Sequence, residues 1–77
     1  MKVYVRNNEL KRRILQTGHS LTSFAEKIDI SRSFLSYLVN QNKTLSPELA
    51  RRIAKELDTE FDELFFVGTN EEYENIN

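Results

Sequence analysis

The chain has 77 residues, 39% of them hydrophobic and 30% charged, with a formal net charge of −1. A chain of this length makes one small domain, burying only roughly 60% of the surface its unfolded form exposes. It has no cysteine and a single histidine, His19, so a disulfide framework and a thiolate metal centre are excluded and a zinc site would need several distant helpers.

The small net charge conceals a strong asymmetry. Residues 1–55 hold all 11 Lys and Arg and four acids, a balance of +7, whereas residues 56–77 hold eight acids and no base, a balance of −8. Such asymmetry points to nucleic acid on the basic side and to a solvating or interacting tail on the acidic side. No run of about 18 apolar residues is present and the amino-terminal stretch lacks a signal-peptide core, so a cytoplasmic protein without a membrane partner is expected.

In chain order, "KVYVR" alternates Val3 and Val5 against Lys2, Tyr4 and Arg6, a strand pattern that needs a partner. The "FFVG" stretch, residues 65–68, is the natural one, paired within one chain or between two. "NNELKRRILQTG" reads as a helix with Asn7 as N-cap, Glu9 near the positive end of the dipole, and Leu10 and Ile14 inward. Gly18 ends it. "SLTSFAEKI" starts at Ser20 as N-cap and places Leu21, Phe24, Ala25 and Ile28 on one face.

After "DIS" a helix restarts with Ser31 as cap and Leu35, Leu38 and Val39 inward. So short a joint forces a steep crossing, and Asp29 tolerates the left-handed backbone such a turn demands, less easily than glycine would. "SPELARRIAKEL" has Ser46 as N-cap, Pro47 at the first helical position, and Leu49, Ala50, Ile53, Ala54 and Leu57 as its buried stripe. A last short helix is expected around residues 61–65. Residues 1–67 are thus read as one domain and residues 68–77, with Glu71, Glu72 and Glu74, as an acidic flexible tail. The expected fold class is all-α: a compact bundle of about five short helices, with room for short terminal β-strands.

The helix after Ser31 carries the functional signal. With Leu35, Leu38 and Val39 inward, a period of about 3.6 residues turns Arg32, Ser33, Ser36, Tyr37 and Asn40 outward, with Phe34 on a flank. A solvated face would be rich in Lys and Glu. Short hydrogen-bonding side chains with one long Arg suit a surface that enters the major groove of DNA.

The run from "SLTSFAEKIDISRSFLSYLVN" through "LARRIAKEL" to "FDELF" resembles the helix-turn-helix family of phage repressors, Cro proteins and Xre-like bacterial regulators, which serve widely as reference cases for this motif. The resemblance covers residues 10–65 and rests on the spacing of Ala25, Ile30, Leu35 and Leu38, with Asn40 after it. It places the motif at residues 21–40, with Arg32–Val39 as recognition helix. It implies base contacts or nearby phosphate contacts for Arg32, Ser33, Ser36 and Tyr37, and phosphate contacts for Ser20, Leu21, Asn40 and Lys43. It also implies a homodimer on a pseudo-palindromic operator, with no cofactor.

Three departures from the family pattern stand out. Leu21 replaces a common DNA-bonding Gln, leaving only the backbone N–H at the helix start. Asp29 replaces the usual turn glycine. Ile14 and Val39 stand where many members pair an Arg with a Glu, an exchange that is often neutral or stabilising.

Plainer readings compete for several residues. Phe34 and Tyr37 could cover the core edge, Arg32 could pair with a surface acid, and Arg51, Arg52 and Lys55 read as a solvated helix face. Lys11, Arg12 and Arg13 are ambiguous, and His19 reads as an exposed loop residue. Catalysis finds no nucleophile arrangement, phosphate loop or ligand cluster to support it. Two kinds of binding remain: a sequence-specific DNA-binding repressor, or a protein-binding antirepressor or inhibitor that reuses the same motif.

Overall fold

The computed structural model describes residues 1–6, 8–41 and 44–69. Serine side chains start three of its five helices. In α2 (Leu21–Lys27), Ser20 Oγ accepts from the Ser23 N–H at 3.1 Å and Ser23 Oγ accepts from the Ser20 N–H at 3.0 Å. This closes a capping box in which serine takes the place usually held by Glu or Gln. Ser31 Oγ accepts from the Phe34 N–H at 3.0 Å to start α3 (Arg32–Gln41), and Ser46 Oγ accepts from the Leu49 N–H at 3.1 Å to start α4 (Pro47–Glu56). The remaining helices are α1 (Glu9–Gln16) and α5 (Phe61–Leu64). At the start of α1 the N-cap position belongs to Asn8, left-handed at φ 57° and making no side-chain cap bond. Asn7, the expected cap, lies outside the described residues.

The helices α1, α2 and α4 end in one shared motif. Each passes through a left-handed residue, Gly18 at φ 88°, Asp29 at φ 60° and Asp58 at φ 53°. In α2 the Asp29 N–H donates to the Glu26 carbonyl and the Ile30 N–H to the Ala25 carbonyl. Gly18 and His19 repeat the pattern on Leu15 and Ile14, as do Asp58 and Thr59 on Lys55 and Ala54. These are Schellman motifs, which satisfy orphan carbonyls at a helix end. The left-handed Asp29 follows the sequence reading.

The fold is not purely all-α. Three strands, β1 (Lys2–Val5), β2 (Thr44–Leu45) and β3 (Phe65–Gly68), form an antiparallel sheet in the order β2-β1-β3. The β1–β3 pairing, Lys2 opposite Gly68 through Val5 opposite Phe65, is the expected terminal pairing and forms within one chain. Strand β2 was not expected. It satisfies the second edge of β1, where Val3 faces Leu45 and Tyr4 faces Thr44, and an unpaired edge there would leave backbone groups without partners. Val3, Val5, Leu45 and Phe65 face the core, while Tyr4 and Phe66 stack at 5.4 Å on the other face, with Arg6 5.3 Å above the Phe66 ring. Gly68, expected at the start of the tail, ends β3; residues 70–77 lie outside the described residues.

Between the sheet and the helices lies one apolar core, with Leu10, Ile14, Phe24, Leu35, Leu38, Ile53, Leu64 and Phe65 fully buried. Each such side chain contributes on the order of 1.5–3 kcal/mol relative to exposure. Ile14 and Val39 both belong to this core, so the position of the family's ion pair is filled by packed hydrocarbon. Among the described residues no helix is long and apolar enough to cross a membrane.

Candidate nucleic-acid interface

Packing dictates which side of α3 is left for a partner. Leu35 and Leu38 are fully buried and Val39 nearly so, and the helical period carries the other residues away from the core. Arg32, Ser33, Tyr37 and Asn40 are exposed and Ser36 is half-buried. All five line one shallow polar depression of about 250 Å³. The four residues expected at base edges therefore share a surface with Asn40.

Within that surface the Asn40 side-chain amide donates to Ser36 Oγ at 3.1 Å. The Arg32 side chain has no ion pair or hydrogen bond among the described residues, so the ion-pair reading of this residue lacks a partner. Tyr37 is 49% exposed and Phe34 38%, so neither is a core residue. Phe34 sits at the edge of the face, as its flank position requires.

The expected phosphate contacts divide. Ser20 uses both its hydroxyl and its N–H in the capping box of α2. Leu21 is half-buried against the core, which leaves its first-turn N–H as the donor at this helix end. Lys43 lies outside the described residues. Metal-binding groups of three or more His, Cys, Asp or Glu are absent among the described residues.

The chain matches the helix-turn-helix family over residues 10–64. It belongs to the Xre/Cro-like helix-turn-helix family. The helix-turn-helix domains of this family are DNA-binding regulatory domains. It is also similar to virulence-associated protein A of Dichelobacter nodosus, with 45% identity over 38 residues. That stretch covers 49% of this chain and 37% of the relative, so the similarity spans well under half of the relative's length. No solved structure matches the chain significantly.

Against the Xre/Cro-like pattern, two residues acquire roles that the sequence reading did not give them. Arg52, read as part of a solvated face, donates from Nη2 to the Ile28 carbonyl at 2.6 Å, tying α4 to the end of α2. Beside it, Lys27 pairs with Glu56 at 3.0 Å. The polar positions of α4 gave a hint of exposure but none of a carbonyl 24 residues away. His19 is half-buried; its Nδ1 lies 3.0 Å from Ser23 Oγ and its ring meets Phe24 edge-on at 5.6 Å. Packing against the first motif helix replaces the idle loop residue of the sequence reading.

A larger cleft shares no residue with the α3 face. It measures about 670 Å³ and is lined chiefly by apolar groups, among them Met1, Leu45, Phe61 and Val67. Its chemistry suits a protein surface rather than a phosphate backbone.

Proposed function

We propose that this protein is a sequence-specific duplex-DNA binder acting as a small transcriptional repressor in the cytoplasm, with α3 reading the major groove. The observation that carries the reading is the common exposed face of Arg32, Ser33, Ser36, Tyr37 and Asn40, with Arg32 unpaired among the described residues. Arg32 reaches guanine or a flanking phosphate, Ser33, Ser36 and Tyr37 meet base edges, and Asn40, Lys43 and the Ser20–Leu21 helix start hold phosphate oxygens.

Two chains bind a pseudo-palindromic operator with half-sites about one helical turn apart. The exposed Val67 and Met1 beside the apolar cleft support contact between two copies. The same cleft, with the −8 balance of residues 56–77, favours a second reading, a protein-binding antirepressor or inhibitor. Arg32→Ala separates the two. The DNA reading requires lost affinity for a selected site with folding intact, whereas the second requires a protein complex that survives the substitution.

A further inference from the structure

The orientation of α3 depends on two kinds of restraint. Its inner face is held by packing, including Val39 within the same core as Ile14. Hydrophobic packing is non-directional, and the directional ion pair common in this family is replaced by hydrocarbon at this position. Directional restraint on the start of α3 therefore comes from the turn that precedes it. In that turn, Ala25 and Glu26 have their carbonyls satisfied by Ile30 and Asp29, whereas no backbone N–H among the described residues bonds the carbonyl of Ile28. Arg52 takes it at 2.6 Å.

The partners are matched along both helices. Lys27 and Ile28 are consecutive at the end of α2, and Glu56 and Arg52 lie one turn apart on α4. A guanidinium is suited to this position, because it is always charged and a cation is favoured at the negative end of a helix dipole. We infer that Arg52 is a positioning residue for DNA recognition: it fixes the turn between α2 and α3, and so the angle at which the α3 face meets the groove, without touching DNA itself.

This inference rests on the reading of α3 as the element that contacts bases. A contact to a base edge is lost by a displacement of about 1 Å, whereas phosphate attraction is long-ranged and tolerant. Arg52→Ala therefore lowers affinity for the selected operator by about tenfold, leaves affinity for mixed-sequence duplex unchanged, and leaves the salt dependence unchanged. Arg52→Lys, which keeps a donor, recovers part of the loss.

The test is fluorescence anisotropy on operator and mixed-sequence duplexes over a salt series, for wild type, Arg52→Ala and Arg52→Lys. Thermal melts fix a temperature at which each chain is folded, and the Arg52→Lys form carries the test if Arg52→Ala does not fold. Native-state hydrogen exchange provides a readout without DNA: faster exchange of the Asp29 and Ile30 amides, relative to amides of α1, is expected in Arg52→Ala. An unchanged ratio of operator to mixed-sequence affinity overturns the inference. So does a salt slope shallower by about one phosphate, which would make Arg52 a direct contact. A wild-type chain with no preference for any site fails the reading of α3 itself, an outcome distinct from failure of the variants.

Discussion

Asn40 donates its side-chain amide to Ser36 Oγ one turn earlier on the exposed side of α3, at 3.1 Å. The bond fixes the Asn40 rotamer before any partner arrives, and it leaves the amide oxygen and the second amide hydrogen free for a partner. A side chain already held in place loses less entropy on binding.

From this pairing follows a contrast between three substitutions. Asn40→Ala weakens binding to operator and mixed-sequence DNA alike, by about 1 kcal/mol, because a neutral phosphate donor carries no sequence information. Ser36→Ala releases the Asn40 amide and produces a smaller loss. Arg32→Ala costs about 1–3 kcal/mol on operator DNA and relaxes specificity at one base position. Anisotropy on operator variants distinguishes the three.

Ile14 and Val39 offer a test of the packing. Val39→Glu alone places an unpaired carboxylate in the apolar core and costs about 3–5 kcal/mol. Ile14→Arg alone costs less, since its long side chain can carry the charge towards solvent. The double substitution rebuilds the family's pair, so its cost falls well below the sum of the two. A double-mutant cycle by denaturant unfolding measures the coupling, and additive costs would show that the two positions do not meet.

The left-handed aspartates predict a gain in stability. Asp29 at φ 60° and Asp58 at φ 53° stand where Gly18 stands in α1. Glycine enters this region without a Cβ penalty, so Asp29→Gly and Asp58→Gly each stabilise by about 0.5–1 kcal/mol. Ala at either position destabilises. Chemical denaturation with matched slopes provides the comparison.

Glu63 ties pH to the α4–α5 junction. The Thr59 hydroxyl and then the Glu60 backbone hold its carboxyl below the ordinary 4.5, desolvation opposes them in part, and the Arg13 charge adds the least of the four effects, again downward. A depressed folded pKa contributes stability that is complete above about 4.5 and is lost as pH falls through the folded value. Thr59→Val removes the largest cause. Thermal melts between pH 2 and 7 should show a shallower acid limb in that variant, and an identical limb would exclude Glu63 as a contributor.

Much of this arrangement was legible in the sequence because its signals are local. Ser20, Ser31 and Ser46 announce helix starts, the inward Leu35, Leu38 and Val39 define the outward face of α3, and Asp29 marks the turn. The β1–β3 pairing followed from the alternation in "KVYV" and the β-propensity of "FFVG". Strand β2 was not legible, because two residues, Thr44 and Leu45, are too few to show a period of two. Nor was the Arg52 contact, since a backbone carbonyl carries no side-chain identity and any sequence at position 28 would offer one. At the start of α1 the N-cap position is held by Asn8, and the Glu9 N–H that follows it donates to the Arg6 carbonyl.

The most direct test of DNA reading by this domain is anisotropy of a mixed-sequence duplex across a salt series. The expected result is binding at low salt that weakens steeply, log K falling with log salt by about 0.9 per phosphate neutralised. Absence of binding even at the lowest salt would contradict duplex-DNA recognition through the α3 face and would favour a protein partner.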